Sequence, residues 1–404
     1  MKIIQLATSL NGGAGSAALR MNNALNIVGA DSTIVSRYGI SGTSGAEIIA
    51  TKISSVKKLE SSMVTLWQSK IMQKNNDLVT PLSVTTSRVK NNLLAQVDII
   101  HIHAYYNFLN NSSLRRILAL GKPTLFTLHD QRLFTGGCHY SRDCKKFQKI
   151  CSTCPQVRKP FAYFVEKAFS KQADMFRFVN NVELVSPSHW LANFARTGEI
   201  SKNLPVHVVR NPVPRIFFET KVKEYKTLNG ALRVAFIATK LHNPYKELAL
   251  FTKAINEYSI GSSRKICVVL VGSGIIPKFE SAVQIENIQP SNDSEMALLL
   301  NTIDLVIVPS NQDNSPSVIS EALAVGVPVI GSDAGGIPEI LRNFQMPIFP
   351  VGDVAKLIDL IANWKPRLDH ESIREKAKKE FSEEVVGRDL LRIYMALQTK
   401  LSQR

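Results

Sequence analysis

Two carboxylates eight residues apart, Asp313 and Glu321, carry the clearest chemical signal in the chain. They lie in the stretch PSNQDNSPSVISEALAVGVPVIGSDAGGIPE, residues 309–339. The preceding run from Ile303 to Val308, broken only by Asp304, reads as a buried parallel strand. Ser315 then suits a helix N-cap, with Pro316 at the first helical position, where a missing N–H costs nothing. Gly326 supplies the stop, and Val327 begins the next strand. A helix N-terminus offers N–H groups and the positive end of a dipole to a phosphate, while a nearby carboxylate accepts hydrogen bonds from sugar hydroxyls. Open α/β sheets bind ligands at the carboxyl ends of their strands, so the loops Gln312 to Ser317 and Ser332 to Gly336 should face one crevice and hold a sugar nucleotide.

In the first half, chemistry-bearing residues also follow strand-like runs. Lys2 to Ala7 leads into Gly12, Gly13 and Gly15, a strand-glycine-helix junction that fits either close ligand approach or a tight turn. The run Val97 to Ile102 ends in His101, Ile102 and His103, two imidazoles on one strand face at a spacing that could hold a metal. Tyr105 and Tyr106 follow, suited to stacking on a sugar or to a core. The strand Thr124 to Leu128 ends in His129 and Asp130, where Asp130 can either fix the imidazole tautomer or approach an acceptor hydroxyl. Cys138, Cys144, Cys151 and Cys154 then fall within seventeen residues. Four thiolates including a C-x-x-C can close a structural zinc site, and free or redox-active thiols are the alternative. Cys267, alone in a strand, reads as core.

The 404 residues, 45% of them hydrophobic, suffice for two α/β domains with separate cores. No window of eighteen apolar residues occurs and the N-terminus reads as a first strand, which predicts a cytoplasmic protein. Forty-nine Lys and Arg against thirty-three Asp and Glu give a net charge of +16, a draw toward nucleic acid, anionic lipid or a polyanionic substrate. No nucleic-acid module is recognisable, and docking on an anionic inner leaflet is the economical reading. Two segments could dock there or pack inward. One is Ser54 to Lys74, with Val56, Leu59, Met63, Leu66, Trp67 and Ile71 among Lys52, Lys57, Lys58, Lys70 and Lys74. The better fit is Pro160 to Phe178, which sets Phe161, Phe164, Phe169 and Phe176 among lysines.

The carboxylate pair, the small-residue helix, GVPVI and GGIPE together resemble the signature of the family 4 retaining glycosyltransferases of the GT-B fold, with Asp313 in place of the family's usual first Glu. The resemblance implies two doubly wound Rossmann-like domains facing across a cleft. The expected boundaries are an acceptor-side domain at 1–213 with a Cys-rich insert near 136–156, a linker at 214–231, a nucleotide-sugar domain at 232–383 and a helix at 384–404 crossing back. It implies transfer of a hexose from a UDP- or GDP-sugar to a hydroxyl of a lipid-linked bacterial glycan, in polysaccharide, O-antigen or capsule assembly, with no metal required for catalysis. By the same resemblance His129, Asp313 and Glu321 are catalytic, and Lys240, Lys246, Gly272, Asn314, Ser315, Ser317 and Val318 bind the donor. Gly12, Gly13, Gly15, His103 and Asp130 lie on the acceptor side. The cysteine insert resembles one found in a subset of bacterial members. A sugar-nucleotide epimerase of the same fold, or a non-catalytic polyanion-binding protein, are the rival readings.

Overall fold

The computed structural model describes residues 1–38, 46–48, 55–73, 78–82, 89, 91–220, 231–365 and 369–403. Lys52, Lys74 and residues 221–230 of the expected linker lie outside the described residues, as do the side chains of Val56, Lys57 and Lys58. The chain forms two compact units, Met1–Asn211 with Val386–Arg404, and Pro212–Val385.

The first unit is built on strands β1 (Lys2–Ser9), β2 (Asp31–Tyr38), β3 (Ala46–Ile48), β4 (Ile99–Ile102), β5 (Thr124–Thr127), β6 (Val182–Ser186) and β7 (Val206–Val208). Their order is β3-β2-β1-β4-β5-β6-β7, and every described pair is parallel. The order reverses between β1 and β4, which splays the loops after those two strands apart and leaves a crevice at their carboxyl ends. The strands β4, β5 and β6 are buried at every residue, as a sheet covered on both faces requires. The helix Glu383–Ser402 covers part of that sheet, burying Val386, Leu390, Tyr394 and Leu397 against Ile3, Met21, Leu25, Ile99, Leu125 and Val185. Gly387 lets it approach the helix Gly12–Ile27, since a Cβ there would stand 2.3 Å from the Ala24 carbonyl oxygen.

The second unit repeats the plan with β8 (Leu232–Lys240), β9 (Ile266–Ser273), β10 (Val283–Ile288), β11 (Leu305–Val308), β12 (Val329–Ser332) and β13 (Ile348–Phe349). The order is β10-β9-β8-β11-β12-β13, again parallel throughout, with its switch point between β8 and β11. Lys240 ends β8, and the loops that leave the two strands hold Lys246 and Asp313. The sheet is sandwiched between two apolar clusters. One lies around the helix Ser317–Val325, the other around the helix Leu248–Gly261.

Candidate active site

In the first unit, the carboxyl ends of β1, β4 and β5 bring three imidazoles together. His101 is fully buried, its Nδ1 2.6 Å from the Tyr394 hydroxyl and its Nε2 2.6 Å from Thr127 Oγ1. His103, also buried, has Nε2 2.7 Å from Gln5 Oε1 and Nδ1 3.2 Å from His129 Nε2. Both imidazoles of the strand are thus committed to protein hydrogen bonds. Among the described residues no group of three or more His, Cys, Asp and Glu is arranged to hold a metal ion.

The network also assigns tautomers. Gln5 donates its amide N–H to Ser32 Oγ at 3.1 Å, so its oxygen accepts from His103 Nε2. His103 Nδ1 therefore accepts, and His129 donates to it through Nε2. Burial holds all three imidazoles neutral. It drops His101 to about 3, with the nearby His129 adding to the effect, and drops His129 to about 4 against a small opposing pull from Asp130. His103 is lowered well below its ordinary value, by burial first and by the neighbouring imidazoles second.

One of the two sequence expectations had Asp130 fixing the His129 tautomer; the imidazole it pairs with is His139 of the insert, at 2.6 Å. His129 takes its orientation from His103 instead. A pocket in this unit is lined by His103, Tyr106, His129, Asp130 and Arg132 among others. Tyr105 is buried and Tyr106 half-buried; the Arg132 guanidinium lies over both rings, and both line the pocket. The glycine junction is partly structural. A Cβ on Gly15 would stand 2.4 Å from the Ser9 carbonyl oxygen, whereas Gly12, at φ +77°, and Gly13 face open space.

Cys138, Cys144, Cys151 and Cys154 line one small, largely apolar pocket, and none of the four is in a disulfide. Among the described residues the four do not form a group of three or more arranged to hold a metal ion. Cys138 donates to the Tyr140 carbonyl at 2.8 Å and accepts from Gln156 Nε2 at 3.1 Å. Burial raises Cys138 well above the ordinary thiol range and pushes Cys151 up to about 12.

The two basic helical segments differ in what they bury. On the helix Ala162–Phe176, Val165, Phe169 and Phe176 are buried, and Phe161 and Phe164 pack edge-on against Trp67. The stronger docking candidate in sequence is therefore a packed helix. Its partner, Ser55–Ile71, turns Leu59, Met63 and Leu66 outward at 63%, 62% and 59% exposure. Phenylalanines that suit an interface suit a core equally well, and here the core took them.

In the second unit, Lys246 Nζ stands 2.6 Å from Asp313 Oδ2. Lys246 is half-buried and Asp313 buried, while Lys240 is exposed at the end of β8. The loop after β8 is tied to the loop after β11, because Asn311 N–H donates to the Tyr245 carbonyl at 3.0 Å and the Asn311 side chain donates to Glu247. Gly335, at φ +58°, is pressed against the other side of Asp313. A Cβ there would fall 1.7 Å from the Asp313 carbonyl oxygen, which accepts from Gly336 N–H at 3.0 Å. The loops 312–317 and 332–336 thus touch through backbone.

The helix begins one residue later than its sequence signals suggest. Pro316 is the N-cap and Ser317 the first helical residue, leaving Ser315 outside it. Ser317 and Val318 occupy the first turn, whose N–H groups have no intrahelical acceptor, and the buried Asn314 precedes them. Glu321 is buried one turn further on. Gly272, at φ +138°, has a packing role, since a Cβ there would meet the Ala238 carbonyl oxygen at 1.8 Å.

Residues 231–364 match the family model described as Glycosyl transferases group 1. The second unit carries a group 1 glycosyl transferase domain. WcaC of Escherichia coli, named as a colanic acid biosynthesis glycosyl transferase, is 21% identical over 283 residues, covering 65% of this chain and 66% of its own length. WcaL of Salmonella typhimurium, similarly named, is 26% identical over 127 residues, 28% of this chain, and the match spans only 30% of that protein. Among solved structures, a glycosyltransferase from Rickettsia africae superposes with a TM-score of 0.61 at 14% identity over 98% of both chains. Anabaena HepE in complex with UDP superposes at 0.62 and 14% identity, over 98% of this chain and 100% of its own. At such identity the likeness concerns the fold, which is GT-B with two Rossmann-like domains.

Proposed function

We propose that this chain is a retaining glycosyltransferase that moves a hexose from a nucleotide sugar, UDP-linked in the first instance, to a hydroxyl of a bacterial surface glycan. The observation that carries the proposal is the Lys246–Asp313 pair, 2.6 Å apart beside the first turn of the Ser317–Val325 helix, at the switch point of the group 1 domain. That point offers a cation, a carboxylate and helix N–H groups together, the three things a nucleoside diphosphate sugar needs. The solved likeness to a protein holding UDP, and the names of the colanic acid relatives, support the donor class and the glycan setting.

In this reading Lys240 and Lys246 stabilise the charge that develops on the departing diphosphate, a contribution that grows as the glycosidic bond breaks. The first-turn backbone of Ser317 and Val318, with Asn314 and Ser315 before it, holds phosphate and sugar. Asp313 accepts from sugar hydroxyls, and binding exchanges part of its lysine contact for them. Glu321, one turn along, takes the ribose. His129 orients the donor sugar, and Asp130 receives the attacking hydroxyl. Departure and attack on one face of the sugar would retain configuration, by analogy with the family. The four-cysteine insert serves as scaffold for Asp130. The net charge of +16 and the outward Leu59, Met63 and Leu66 support docking on an anionic membrane that carries a lipid-linked acceptor.

The test is a thermal-shift series with UDP, GDP and their sugar conjugates, paired with transfer assays on wild type and Glu321→Gln. A ligand bound only by the folded state adds about 2.7 kcal/mol at a hundredfold excess over Kd. One nucleotide class should raise the melting temperature, and Glu321→Gln should lose that shift and the transfer while keeping its far-UV circular dichroism. Full transfer by Glu321→Gln would sink the assignment.

A further inference from the structure

The cysteine insert delivers one side chain to the pocket's carboxylate. Asp130 Oδ1 accepts the backbone N–H of Arg132 at 2.8 Å, and Oδ2 lies 2.6 Å from His139 Nδ1. The other ring nitrogen of His139 stands 2.9 Å from Thr80 Oγ1, which accepts from Arg132 Nε at 2.8 Å. The protons can be assigned in order. An arginine Nε always donates, so Thr80 accepts there; an ionised Asp130 can only accept, which puts the proton of a neutral His139 on Nδ1 and leaves Nε2 to take the Thr80 hydroxyl proton. His139 is then protonated on Nδ1 and donates to Asp130, and every polar atom of the line is satisfied with Asp130 ionised.

Backbone contacts fix this line in place. His139 N–H donates to the Leu78 carbonyl at 3.0 Å and Thr80 N–H to the Gly137 carbonyl at 2.7 Å, an antiparallel bridge centred on Val79 and Cys138. From the other side, Gln131 N–H donates to the His139 carbonyl at 3.0 Å. Gly137, at φ +111°, makes the approach feasible, because a Cβ would stand 2.7 Å from the backbone of Thr80 and Pro81. His139 and Thr80 are buried, whereas the Asp130 side chain keeps 25% exposure beside His129 and Tyr106. A carboxylate–imidazole–hydroxyl line also occurs around activated nucleophiles. Here the hydroxyl is buried and bound to a guanidinium, and the carboxylate is the end that reaches the pocket.

We propose that His139 is the positioning residue of the acceptor side: it holds Asp130 as an oriented carboxylate toward the attacking hydroxyl, with Thr80 and Arg132 locking its tautomer. The role assigned to Asp130 rests on the glycosyltransferase reading, whereas its hold by His139 does not. The electrostatics agree. Burial alone would raise Asp130, but the hydrogen bond from His139, together with the backbone N–H and the guanidinium of Arg132, brings it below the ordinary carboxylate value. The titratable groups around Asp130 are His139, Arg132, His129, Tyr105 and Tyr106.

The experiment compares wild type, His139→Ala and His139→Asn in two measurements on the full chain. The first is transfer rate against pH. Without His139, burial dominates and the acidic limb should move up by about one pH unit, with kcat lowered and the donor KM unchanged. His139→Asn keeps an N–H close to the position of Nδ1 and should restore the limb. The second is the titration of Asp130 by carboxylate carbon-13 NMR, with Asp130→Asn identifying the resonance, and it needs no turnover. A wild type without transfer would remove the glycosyltransferase reading and leave this titration as the test. An Asp130 titration unchanged in His139→Ala overturns the proposal. So does a limb in His139→Asn that matches the alanine variant. If His139→Ala fails to fold, the asparagine variant and Thr80→Val decide: Asp130 must titrate near its wild-type value in the first and be raised in the second.

Discussion

Replacing Gly335 by Ala probes whether the donor loop is held by backbone contact. Gly335 sits at φ +58°, and its added Cβ would fall 1.7 Å from the Asp313 carbonyl oxygen and 2.8 Å from the Asp313 carbonyl carbon. Neither neighbour is a flexible side chain, so the loop carrying Asp313 must move. A left-handed conformation costs an alanine about 1–2 kcal/mol, and overpacking against fixed atoms adds about 1–3 kcal/mol. The sum, about 2–5 kcal/mol, should lower the melting temperature of a unit this size by about 5–15 °C. Gly352 provides the control. It too has positive φ, +83°, but nothing lies within 4 Å of its added Cβ. Gly352→Ala should therefore cost only the conformational part, about 1–2 kcal/mol and about 2–6 °C. Because the displaced atoms belong to Asp313, Gly335→Ala should also lose nucleotide-sugar binding, and Gly352→Ala should keep it. Scanning calorimetry with donor titration of both variants is the assay. Equal destabilisation of the two, or intact donor affinity in Gly335→Ala, would refute the reasoning.

Acid should weaken the first unit through its buried imidazoles. With His101 at about 3 and His129 at about 4 when folded, against an ordinary 6.5, the unfolded chain binds protons that the folded chain refuses. Stability is then intact above pH 6.5 and falls as pH drops toward the folded values, by about 3 kcal/mol for the two groups between pH 6.5 and 5. Urea melts across that range check the slope, and a flat profile would contradict the neutral, buried assignment. At the membrane, replacing Leu59, Met63 and Leu66 together by Ser should reduce co-sedimentation with phosphatidylglycerol vesicles by ~10-fold or more, since each leucine-sized side chain contributes about 1.5–3 kcal/mol when fully buried. Undiminished binding would place the docking surface elsewhere.

The donor half was legible in sequence because its signals are local. The run Ile303 to Val308 gave β11, and the Pro316 and Gly326 punctuation bounded the helix to within a residue. Asp313 and Glu321 flank the helix start, so chain spacing alone sets them near one another. The Lys246–Asp313 pair was beyond reach, since its partners are 67 residues apart and meet only because β8 and β11 are neighbours in the sheet. Gly335 carried a sequence signal as part of GGIPE, but its contact with the Asp313 carbonyl is a tertiary fact.

The acceptor half shows the same division more sharply. Chain order alone determined that His103 and His129 end neighbouring types of buried strand, and that four cysteines cluster after them. It could not determine that His129 is oriented by His103, because that depends on the register that pairs β4 with β5. Nor could it assign Asp130 to His139 or bring Thr80 to the same ring, for those contacts cross a backbone bridge between distant segments. Which apolar helix packs and which faces outward was equally undecided, since amphipathic spacing says that a helix has an apolar face and is silent about what covers it. Sequence fixes what each short segment prefers; long-range pairing and burial decide which of those side chains meet, and in what charge state.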